Sequence, residues 1–271
     1  MKRIPLLVVW ICCTLIVQAQ NADPSHVYVR QAYAERDPTP WPPLPERDVF
    51  ICKRVERIID TREKMNLSMR WPQQSFMDVI YQGIKDGKLT AYKNDSLASS
   101  GDYEWARMVG AKRVHVQRQN SEDEYDYTDT TIVSPLSAAD FKKFKVIENW
   151  IFDRNTGEQF TRIVAIAPIY DMEVNGISLG EQAAFYLSYR QCRKLFVNTE
   201  LFNRHNDAGR LTYDDFFEQR LFSSYVTKTS NAFDLAIRDF DEFHANGVEA
   251  LYEGERQRGE LDNTEGDMWE H

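Results

Sequence analysis

The side chains best suited to bind a metal or attack a substrate are five histidines and, beyond Cys12 and Cys13, two cysteines. His26, His115, His205, His244 and His271 stand far apart. No two lie at i, i+4 and no cysteine lies near one, so a local zinc or iron motif is missing. Residues 203–215 approach a calcium loop. With Gly209 at its sixth position, however, Arg204 and Ala208 fall where oxygen ligands are required. The acidic run 119–131 (Glu122, Asp123, Glu124, Asp126, Asp129) lacks that pattern too. The stretch from Gly83 to Lys88 has neither the spacing nor the Ser/Thr of a phosphate loop, and no Gly-x-Ser-x-Gly elbow occurs. Cys52 and Cys192 sit on segments that read as apolar helix faces, which suits structural thiols better than nucleophiles. Carboxylates are plentiful, 42 in all, but no flanking pattern singles out an acid–base pair. The expectation is a protein with no catalytic residue, no metal and no cofactor.

The elements that would position these residues begin after a leader. Lys2 and Arg3 precede an uncharged apolar run, and Val17-Gln18-Ala19 offers small residues for cleavage, so residues 1–19 read as a secretory signal peptide. Trp10-Ile11 before Cys12 is not a lipidation site. Net charge is −9, or −11 once Lys2 and Arg3 leave with the signal. Such an acidic chain argues against nucleic acid or an anionic membrane surface as partner, and no direct membrane insertion is expected. Lys142-Lys143 and Arg193-Lys194 read as isolated pairs on helix faces. In an oxidising compartment Cys52 and Cys192 invite a disulfide; the alternative is two buried thiols that never meet.

Residues 20–45 hold six prolines and read as an extended arm carrying Tyr28, Tyr33 and Trp41. It is expected to dock on a neighbouring subunit, against the alternative of a strap over its own domain. The fold class expected is α+β. A small antiparallel sheet is built on a hairpin at 145–169, turned at Asn155-x-Gly157. Helices near 49–60, 75–86, 191–201, 212–228 and 237–252 pack on it, from apolar spacing and from Ser75 and Thr212 as caps. Short strands are expected at 89–92 and 183–189, and a helical turn or two at 104–109. The domain should span 46–252, with a mobile acidic loop at 119–131 and a polar tail at 253–271. The helix at 212–228 is aromatic around much of its circumference. One face is therefore expected in the core and the other at a partner, with Phe216, Phe217, Phe222 and Tyr225 as candidate contacts.

Several segments carry a resemblance. They are Ile58-Ile59-Asp60-Thr61-Arg62-Glu63-Lys64-Met65-Asn66, Gly87-Lys88-Leu89-Thr90-Ala91-Tyr92, the stretch from Asn206 to Glu218 with Arg220–Tyr225 and Ser230-Asn231, and Asp267–His271. In this order, over residues 46–271, the chain resembles the GldN (PorN) family of the type IX secretion system of Bacteroidota. The resemblance implies a non-enzymatic periplasmic subunit. It would form a ring with the lipoprotein GldK (PorK), contact the motor protein GldM (PorM), and be held at the outer membrane through that lipoprotein. The class of protein that competes with this reading is a monomeric periplasmic binder of a small ligand or glycan, which would need a concave aromatic pocket.

Overall fold

The structure, a computed structural model, describes residues 35–119, 127–174, 177–204, 206, 208–244 and 246–269. The expected signal peptide, Tyr28, Tyr33 and the centre of the acidic run lie outside these residues. In chain order the elements begin with β1 (Val49–Asp60), α1 (Phe76–Lys85), β2 (Ala91–Tyr92), β3 (Ser100–Gly101) and α2 (Tyr103–Met108). A ribbon of β4 (Lys112–Gln119) and β5 (Tyr127–Ser134) follows, then β6 (Lys143–Asp153), β7 (Gln159–Val174), β8 (Ile177–Ala183) and β9 (Tyr186–Ser188). The last third holds α3 (Tyr189–Phe196), β10 (Glu200–Leu201), β11 (Leu211–Thr212), α4 (Tyr213–Glu218), β12 (Tyr225–Thr229) and α5 (Gly247–Trp269).

The fold is α+β, around an antiparallel sheet of eight strands in the order β12-β1-β6-β7-β9-β2-β3, with β8 paired to β7. The expected hairpin is its centre. The Asp153 carboxylate accepts from Asn155 N–H at 2.8 Å, and Gly157 takes φ +72°, which a side chain would strain.

Two helix starts follow the sequence closely. Ser75 and Asp78 form a reciprocal capping box on α1, as do Thr212 and Asp215 on α4. The second helix is far shorter than expected, because its Cα trace turns left-handed at Arg220 (φ +53°) with a Leu221 N–H to Phe216 C=O bond of 2.9 Å. The segment from Tyr225 on is strand, not helix.

The segment 49–60 is likewise β1 rather than a helix. It pairs with β6 along one edge and β12 along the other. Val55, Arg57 and Ile59 are buried in alternation, as a strand requires. Near 191–201, α3 ends at Phe196 and β10 follows. Near 237–252 there is one 3-10 turn, Ile237–Asp239, and the helix starts only at Gly247, running on through the expected polar tail. Residues 127–131 of the acidic run belong to β5.

Two apolar clusters share the sheet. The larger one joins α1, α3 and α4 through rings: Phe76 lies 4.9–5.5 Å from Phe144, Phe196, Tyr213 and Phe217. The smaller one gathers Val55, Trp150, Val226, Ile237 and Ala250 beneath α5. Between them lies a charged seam. The fully buried Glu148 accepts from Trp150 Nε1 at 2.8 Å and, from Arg220, from Nη1 at 2.9 Å and Nη2 at 3.1 Å. Arg57, itself buried, stands 3.5 Å away. A buried carboxylate persists only with such company. Charge pairs elsewhere cross the sheet: Lys145 reaches Glu56 on the neighbouring β1 at 2.9 Å, and Lys143 reaches over β7 to Glu181 on β8 at 2.6 Å.

Candidate interaction surfaces

Residues 37–45 form a strap. Prolines at 38, 40, 42, 43 and 45 hold it extended, and Trp41 is its anchor. The indole stacks on Tyr189 at 6.1 Å and donates from Nε1 to Glu218 Oε2 at 2.9 Å. The Tyr189 hydroxyl donates to the other oxygen of Glu218, also at 2.9 Å. Burial, and then the Glu218 charge, push the Tyr189 phenol far above its ordinary value, so it stays a neutral donor.

Arg193 lies 5.0 Å from the Trp41 ring centre. It grips Asp214 through Nε and Nη2 at 3.0 and 3.1 Å and spends Nη1 on the Thr39 carbonyl at 2.7 Å. Burial raises the Asp214 carboxyl, and the Arg193 guanidinium opposes that rise. Arg162 donates from Nη2 to the Pro42 carbonyl at 2.7 Å and lies 5.6 Å from the same indole. Together strap and domain enclose an open cavity of about 580 Å³, lined by Pro38, Pro40, Pro42, Pro43, Trp41, Arg162, Arg190 and Arg193.

Trp41 therefore packs on its own domain, and residues 37–45 run across it as a strap. Arg193 is 5% exposed, so it is no surface pair with Lys194. Its hold on the strap is only hinted at by spacing: Arg190 and Arg193 at i, i+3 and Asp214 and Glu218 at i, i+4 each share one helix face.

The aromatic candidates on α4 also move inward. Phe216, Phe217 and Phe222 are core residues, and Tyr225 is half-buried on β12 beside the Lys143 ammonium. On α4, Tyr213, Asp214, Phe216 and Phe217 are buried, while Glu218 is exposed. Cys52 and Cys192 are both free. Cys52 is exposed on β1 while Cys192 is buried on α3, so they occupy different environments, and burial pushes the Cys192 thiol up.

Apolar side chains are exposed elsewhere. Val248, Leu251 and Tyr252 form an i, i+3, i+4 stripe on α5, with Phe233 and Leu235 in the loop after β12. Ile177 and Leu179 lie on β8, whose only strand partner among the described residues is β7. The outer edge of β1 before Arg54 is also unpaired by β12, and Phe50 is exposed there. Among the described residues no cluster of three or more His, Cys, Asp or Glu could hold a metal, and no helix is long and apolar enough to cross a membrane.

The buried charges of the antiparallel sheet are committed to one another, and apolar residues are left exposed on helix and strand edges. The chain belongs to the GldN family, the gliding motility associated proteins, which it matches over residues 44–270. No curated protein matches it. Membership makes it a component of gliding motility and type IX secretion, in a family of machinery parts rather than enzymes.

Proposed function

We propose that this chain is a non-enzymatic structural subunit of the type IX secretion machinery. It works in the periplasm, builds a ring with the lipoprotein GldK (PorK), and contacts the periplasmic part of GldM (PorM). The observation that carries the reading is the family match across nearly the whole described domain. The surface supports it. Tyr252 and Phe233 are each 74% exposed and Ile177 67%, more apolar surface than an isolated soluble domain needs. In this reading the lipoprotein partner holds the subunit at the outer membrane.

Tagged chain recovered from detergent-solubilised envelope should bring down the lipoprotein and the motor protein, and should elute far above monomer size on gel filtration. Recovery of a lone monomer would count against the reading.

A further inference from the structure

We propose that the arginine cavity beneath the strap receives the acidic stretch 264–271 of a second copy of this chain. The inference rests on the assembly reading above and names one contact within it. The cavity is unusual for so acidic a chain: no carboxylate is among its lining residues, and three arginines are. Arg193 is consumed by Asp214 and Thr39. Arg162 gives one nitrogen to a carbonyl, which leaves its charge unneutralised. Arg190 is exposed and has no carboxylate partner among the described residues. Two cations thus face a space walled by prolines and an indole. Its occupant should carry several carboxylates and apolar side chains, and no Lys or Arg.

Residues 264–271 meet that description. Glu265, Asp267 and Glu270 supply charge, Met268 and Trp269 supply apolar surface, and Lys and Arg are absent. On α5, Ala250 and Leu261 pack against the smaller apolar cluster, Gln257 accepts from the Thr229 hydroxyl at 2.7 Å, and Gln159 Nε2 donates to the Leu261 carbonyl at 3.0 Å. The helix nevertheless continues to Trp269, about two turns further. No described α5 residue lines the cavity. A continuous helix cannot fold its end back without unravelling, so a neighbour's helix is the economical donor.

The test is fluorescence anisotropy of a labelled peptide of residues 259–271 titrated with the purified chain. Arg190→Glu should bind it about tenfold or more weakly, since an attractive pair becomes a like-charge clash. Because Arg190 is exposed, the variant should keep its melting temperature. A peptide carrying Glu265→Lys and Asp267→Lys should regain binding to Arg190→Glu. No binding by the unaltered chain, or equal binding by Arg190→Glu, overturns the inference. Sedimentation velocity separates the two readings: an Arg190→Glu chain that still assembles with its lipoprotein while failing the peptide assay leaves the ring reading standing. An unaltered chain that stays monomeric with the lipoprotein present removes that reading instead.

Discussion

Glu148 is the residue on which the interior turns. Its carboxylate is 0% exposed and is shared by Arg57, Arg220 and the Trp150 indole. Removing it leaves the buried Arg57 and the part-buried Arg220 guanidinium without their shared carboxylate, and uncompensated buried charge is costly. Glu148→Ala should lower unfolding free energy by about 3–5 kcal/mol, read from urea denaturation. A loss under 1 kcal/mol would mean that water already reaches the seam.

Sequence patterning hides such a residue. A glutamate inside a strand reads as an outward position, and Arg57, diagonal to it on β1, reads the same way. Only the structure shows that each supplies the other's partner. The cysteines mislead for a related reason. Two thiols in an exported chain suggest a bond, yet whether they meet depends on tertiary placement, and one is exposed while the other is buried.

At the scale of elements, the hairpin, α1 and both capping boxes were legible, because each is written in local chemistry: an Asn-x-Gly turn, a Ser or Thr with an acid three residues on. The misread elements are those decided by tertiary contacts. In β1, Ile51, Cys52, Val55, Ile58 and Ile59 mimic helical spacing because the inward Arg57 breaks the alternation. The β-branched content of that stretch was the signal pointing the other way. Past α4, the left-handed Arg220 ends the helix where no glycine warns of it.

The start of α5 was equally obscure, since its inward face includes a glycine. A Cβ at Gly254 would come 2.5 Å from the Val226 carbonyl oxygen, so helix and strand touch backbone to backbone. Gly254→Ala should therefore cost about 1–3 kcal/mol by overpacking. Gly259→Ala in the same helix meets nothing within 4 Å. It should stabilise by about 0.5–1 kcal/mol through helix propensity. Thermal melts of the two variants moving in the same direction would show that α5 is not seated as described.

At the scale of the molecule, the strap decides how the fold closes. Trp41 reaches across to α3 and α4, touching Tyr189, Glu218 and Arg193, and residues distant in sequence are tied at that point. The sequence singles out Trp41 as an anchor, but an aromatic within prolines looks the same whether it holds its own domain or a neighbour. Its partners, Tyr189 and Glu218, lie too far along the chain for spacing to connect them. The two roles make opposite forecasts. If Trp41 served only a neighbouring subunit, Trp41→Ala would leave the isolated chain as stable as before and harm assembly alone. As a strap anchor, it loses a stacked ring and a charge-assisted hydrogen bond, and the isolated chain should lose about 2 kcal/mol. Removing residues 20–34, which spares the strap from its beginning at Asp37, should leave that stability nearly unchanged. Removing 20–45 should reproduce the Trp41→Ala loss or exceed it. Urea titrations of the three variants as isolated chains decide between the roles: an unchanged midpoint for Trp41→Ala returns the indole to the interface.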